Sequence, residues 1–197
     1  MKHLLILLLA ASSAAEAGPI VEVTWEGTVT RVASCVCGVP GAHVGDAISG
    51  MMTIDPAKAP ADSDANPSTG VYQAFGSSDF IDTTQALIGS PHLTGADSLR
   101  VSQYQTSDGR TEETYSIYDG SPLYGGSPGL KVFLGMGSTN PDLDLIHGDG
   151  IAQSFTATYD PQNGVGINGQ IESWKDPVNY VVQFVVNRLT VKTVCRA

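Results

Sequence analysis

Four ionisable side chains crowd into eight residues of the segment DLDLIHGDG: Asp142, Asp144, His147 and Asp149. Three carboxylates and an imidazole offer the oxygen and nitrogen ligands that bind cations, and Ca²⁺ in particular takes 6–8 oxygens in a flexible shell. The run departs from the D-x-[DN]-x-[DN]-G loop with its terminal bidentate Glu, and Leu143, Leu145 and Ile146 also suit a segment that plugs the edge of a core. The segment is therefore a candidate cation site, with a capped turn bearing solvated acids as its alternative. Asp62 and Asp64 form a poorer second candidate. Aromatic residues carry the other lead. Tyr104, Tyr115, Tyr118 and Tyr124 gather around one hairpin and its following loop, and Trp174 ends a later strand. Flat rings with a polar handle suit recognition of sugar rings, which present apolar C–H faces. Tyr115 shares its parity with Ile117, so part of this cluster belongs to a core.

Arrangements for covalent chemistry are weaker. Gly125-Gly126-Ser127-Pro128-Gly129 fits G-x-S-x-G in form, but the residue after the serine must donate an N–H to the oxyanion hole, and proline has none. His43 and His92 stand in loops outside H-E-x-x-H or H-x-H spacing. Glu22 and Glu26 share the outward face of one strand, which reads as a solvated face. Asp46 follows Gly45 and Asp55 precedes Pro56. Both are turn positions where a carboxylate accepts local backbone N–H groups, so both read as strand punctuation. A glycosidase needs two carboxyls about 5–10 Å apart across a cleft, and acid and base on different strands would not be visible as a motif. A polysaccharide-active enzyme, hydrolase or lyase, is thus the alternative to a non-catalytic binding protein.

The elements that must position these residues are strands. Val21, Val23, Trp25, Gly27 and Val29 alternate with Glu22, Thr24, Glu26, Thr28 and Thr30, a period of two that marks a half-buried antiparallel strand. Ile48, Gly50, Met52 and Ile54 repeat the pattern. Further strands are predicted at 71–75, 79–88, 99–105, 111–118, 130–136, 151–159, 164–174 and 178–194, and Asp108-Gly109 signals a hairpin. No window shows a capped 3.6-residue period. About ten close-spaced strands predict an all-β fold, an antiparallel β-sandwich of jelly-roll type, with a closed or partly open barrel as alternative.

The stretch MKHLLILLLAASSAAEA has the charged start, apolar run and small-x-small end of a secretory signal peptide over residues 1–17, which leaves 18–197 as a single domain. No other segment approaches the ~20 apolar residues of a membrane span. Cys35, Cys37 and Cys195 would then meet an oxidising compartment, where a bridge from Cys195 to either of the others is expected to stabilise by roughly 4–5 kcal/mol in the chain-entropy model. A formal net charge of −10 disfavours nucleic acid. Glycan, extracellular protein and cations stay open as partners. The long terminal strands 20–32 and 178–194 suggest edges for a homo-oligomer.

VEVTWEGTVTRV, VGDAISGMMTIDP, the polar loop and GVYQ resemble the opening of small secreted β proteins of the bacterial PEP-CTERM type. DLDLIHGDGIAQSFTATY and GVGINGQIESW are similar to their later part. In place of their Val-Pro-Glu-Pro signal, apolar helix and basic tail, this sequence ends in VKTVCRA. The resemblance implies an exported β-sandwich in a surface, matrix or exopolysaccharide setting, and it assigns no functional residue.

Overall fold

The computed structural model describes residues 18–34, 42–75, 79–85, 96–107, 111–120, 129–175 and 178–196. Ten antiparallel strands form one sheet: β1 (Ile20–Ser34), β2 (Ala47–Ile54), β3 (Thr69–Ala74), β4 (Ile81–Gln85), β5 (Ala96–Gln105), β6 (Thr111–Gly120), β7 (Gly129–Ser138), β8 (Phe155–Thr158), β9 (Val165–Lys175) and β10 (Val178–Val194). The order is β3-β5-β6-β7-β9-β10-β1-β2-β4, with β8 pairing β10 beyond the end of β9. The sheet curls strongly into a half-barrel, so the predicted antiparallel all-β class is observed. The one helical element among the described residues is a 3₁₀ turn at Pro161–Asn163.

Alternation decides which face is inside. Val21, Val23, Trp25 and Val29 are buried, as are Ile48, Met52 and Ile54 across from them. β7 contributes Val132, Leu134 and Met136, β9 contributes Val165, Ile167 and Ile171, and β10 contributes Val182, Phe184, Val186, Leu189 and Val191. Two aromatic rings extend this core sideways. Trp25 lies across its partner Gly50, and Phe184 across its partner Gly169, where an added Cβ would fall 1.9 and 2.1 Å from the rings. Glycine in these two strands makes room for the neighbouring ring.

The segment from 139 to 154 folds against the core with Ile146 and Ile151, and Phe155 meets Tyr115 edge-to-face with ring centroids 5.3 Å apart. Buried polar side chains hold the segment. Glu113 Oε1 accepts from the backbone N–H groups of Leu145 and Ile146 at 2.8 and 2.9 Å. Gln153 accepts from His147 N and donates to the carbonyls of His147 and Gly150.

One expectation is corrected by this topology. β1 and β10 are not edges: they pair with each other from Ile20↔Val194 to Ser34↔Tyr180, and β2, β8 and β9 cover their other sides. Among the described residues the edges of the sheet belong to β3 and β4. The expected bridge from Cys195 to Cys35 or Cys37 involves two residues that lie outside the described ones; Cys195 itself is exposed.

Candidate functional site

The predicted cation ligands are not brought together. Asp144 Oδ1 lies 3.6 Å from His147 Nδ1 and accepts from Gln103 Nε2 at 2.8 Å, with both members of the Asp144–His147 pair exposed. Asp149 is engaged through its backbone carbonyl, which accepts from the Tyr72 hydroxyl. Among the described residues no three His, Cys, Asp or Glu side chains stand close enough to hold a metal ion, which corrects the Asp142, Asp144, His147 and Asp149 set. The physical reason is the Glu113 and Gln153 bonding, which fixes the backbone of this segment as a plug. Asp62 and Asp64 likewise accept local N–H groups, from Asp64 and Val71 and from Asn66. Asp46 accepts from His43 N, and Asp55 accepts from Ala57 N and meets Arg196 at 2.6 Å. Both act as strand punctuation.

The tyrosines divide. Tyr115 is 1% exposed and packs in the core, so it leaves the binding platform; burial pushes its hydroxyl well above the ordinary range. Tyr104 is 41% exposed and donates to Glu112 across the β5–β6 hairpin, which also raises its hydroxyl. Tyr118 is half-buried on the outer face of β6, raised by burial first and by the Glu172 and Asp119 charges second. Trp174 belongs to β9. Tyr124, His92 and Ser127 lie outside the described residues.

Tyr118 belongs to a row that crosses the outer face. Its register neighbours run Ser98 (β5), Tyr118 (β6), Phe133 (β7), Gln170 (β9), Gln183 (β10) and Arg31 (β1). Neighbouring strands lie ~4.8 Å apart, so the row presents one side chain per strand over about 24 Å. Phe133 is 40% exposed, and its ring lies over Gly135, where a Cβ would come 3.0 Å from it. Gln183 Nε2 donates to Gln170 Oε1 at 2.9 Å, Gln170 Nε2 donates to Glu172, and Thr30 Oγ1 donates to the Gln183 carbonyl at 3.2 Å. Lys131 stands 3.5 Å from Glu172 beside the row. Thr30, Phe133, Asn168, Gln170 and Gln183 border a shallow hollow of about 250 Å³.

On the row's other side the register runs through Ser116, Gly135 and Asn168, and beyond them the outer positions of β7 and β9 are Gly137 and Gly166. Gly137 and Gly166 face each other across β7 and β9, and an added Cβ would meet nothing closer than 4.0 and 3.9 Å. No packed neighbour requires glycine there. Strand glycines of this kind occur at tight bends of a curled sheet and at sites where a ligand approaches the backbone closely.

Motif reading missed Phe133, Gln170 and Gln183 because each is an ordinary outward strand residue. Their only signal is parity combined with register, and register needs the fold. The site is thus an aromatic and amide row on the open face of an antiparallel half-barrel. No protein-family model, curated protein or solved structure matches the chain.

Proposed function

We propose that the chain is an exported, non-catalytic β-sheet protein of the cell surface or extracellular matrix that binds glycan through its outer face. The observation that carries this reading is the row Tyr118–Phe133–Gln170–Gln183. Aromatic rings take the C–H face of a sugar, and the amides and Thr30 offer donors and acceptors for its hydroxyls. The bare backbone at Gly137 and Gly166 leaves room for a chain to lie beside the row. A net charge of −10, and a row whose nearest acid, Glu172, stands 3.5 Å from Lys131, favour a neutral polysaccharide over a polyanion. Against catalysis, the deeply buried acids Asp97, Glu113 and Asp119 are engaged by backbone N–H groups, and the exposed pairs Tyr104–Glu112 and Asp144–His147 stand apart from the row. The leader-like first 17 residues support export.

Affinity electrophoresis in gels containing xylan, glucomannan, hydroxyethyl cellulose or alginate tests the ligand class. At least one neutral polymer should retard the native protein and fail to retard Phe133→Ala, while alginate should retard neither. Equal mobility in every neutral gel, or undiminished retardation of Phe133→Ala, overturns the reading. Mass spectrometry of the exported protein should find Gly18 at its N-terminus.

A further inference from the structure

Among the described residues β4 ends the sheet, with one edge on β2 and the other met by side chains instead of a strand. Asp97 Oδ2 accepts from the N–H groups of Phe80 and Ile81 at 2.8 and 3.1 Å. Asp119 Oδ2 accepts from Thr83 N at 2.8 Å and from Thr83 Oγ1 at 2.6 Å. Asp97 and Asp119 are direct register partners on β5 and β6, 1% and 0% exposed. All four bonds fall on the two Oδ2 atoms, and the two Oδ1 atoms are buried without a hydrogen-bond partner among the described residues. The half-barrel is therefore closed through carboxyl groups.

We propose that Asp97 and Asp119 form a proton-operated latch on β4: a proton on the pair keeps the strand docked against β5 and β6, and ionisation of both carboxyls releases it. Like charges directly opposite in a sheet repel, and a buried carboxylate loses its water. Asp79 just before β4 and Asp82 on β4 add further negative charge to the pair. From β3, Gln73 and Ala74 flank Asp97 without charge. Beyond β6, Val132 opposes Asp119, while its neighbour Lys131 lies 3.5 Å from Glu172. Burial first, and neighbouring acids after it, raise Asp97 from 3.8 to about 6 and Asp119 from 3.8 to about 7, despite the donated bonds that pull the other way. The docked strand thus holds protons that an open, solvated one gives up to water. Docking is strongest in acid, weakens as pH rises from about 4 to about 7, and levels off once both forms are ionised.

Amide hydrogen exchange read by NMR as protection factors at pH 5 and pH 8 tests the latch. Phe80, Ile81 and Thr83 should lose protection at least about tenfold at pH 8, since each pH unit across a shifted group changes the opening constant up to tenfold. Val182 and Phe184 at the sheet centre, which open with the whole fold, should stay better protected than β4 at both pH values. Asp97→Asn with Asp119→Asn keeps an acceptor and removes the charge, so β4 protection should become flat with pH; if the double variant does not fold, Asp119→Asn alone should flatten the upper part of the transition. Asp79→Asn should move the midpoint to lower pH. Protection of β4 that is flat with pH in the native protein, or a dependence unchanged in the Asn variants, overturns the latch.

Discussion

The two faces of β6, β7, β9 and β10 use polar side chains in opposite ways. On the inner face Glu113 and Asp119 sit in line with Tyr115 and Ile117, and each spends one oxygen on the backbone of another segment. On the outer face of the same strands, Gln170 and Gln183 bond to each other, Asn168 is exposed, and Phe133 spreads over a glycine. Inner polar groups complete the fold where a strand partner is missing. Outer ones retain hydrogen-bonding capacity toward solvent. A polar residue here is read for structure or for binding by the face it occupies, more than by its type.

The largest test of the inner half of this comparison is Glu113→Leu. It leaves the Leu145 and Ile146 N–H groups buried and unpaired, which costs about 1–3 kcal/mol each, and urea unfolding should show a loss of roughly 3–5 kcal/mol. If stability is unchanged, the plug does not depend on this acid. Next comes the pH slope of global stability. The carboxyls of Asp97 and Asp119 rise to about 6 and about 7, so unfolding free energy should fall by a few kcal/mol, about 2–4, between pH 4 and pH 7. This is the reverse of the behaviour of a salt-bridged acid, and a rising slope in that window would break the comparison.

Tyr115→Phe and Phe133→Ala sharpen it across the sheet. Removing the Tyr115 hydroxyl, which has no partner among the described residues, should leave stability equal or about 1 kcal/mol higher, with polysaccharide retardation untouched. Phe133→Ala should weaken binding about tenfold or more with a smaller change in the unfolding midpoint than a core truncation gives, since the ring stands on the outer face and is no part of the core cluster. Binding lost in Tyr115→Phe and kept in Phe133→Ala would exchange the roles assigned to the two faces.

Much of the fold was legible from alternation. The inward and outward sets of β1 and β2 are those observed, and each of the ten predicted strands has a counterpart. The inner acids were hidden at strand ends. Asp97 precedes Leu99 and Val101 in parity, and Asp119 follows Tyr115 and Ile117, but Asp near Gly reads as a turn, and so the strands were ended at Leu99 and Tyr118. β5 and β6 instead begin at Ala96 and end at Gly120. Extending the alternation two residues each way would have placed both carboxyls inside. The outer row carries no such trace, because Phe133, Gln170 and Gln183 lie far apart in sequence and only pairing aligns them. Pairing order also decided the edges: β10 returns beside β1, which spacing alone does not encode.

The smallest expected effect probes the glycine pair. Gly137→Thr adds a β-branched side chain at an outward strand position where the nearest heavy atom is 4.0 Å from the new Cβ. Strand glycines cost about 0.5–1 kcal/mol in lost conformational freedom, so the variant should be more stable by up to that amount in urea unfolding. The same side chain would stand over the bare backbone beside the row and block close approach of a polysaccharide, so gel retardation should fall although the protein is firmer. A gain in both stability and retardation would show that this backbone is bare for no reason of binding, and would confine the contact to the aromatic and amide row itself.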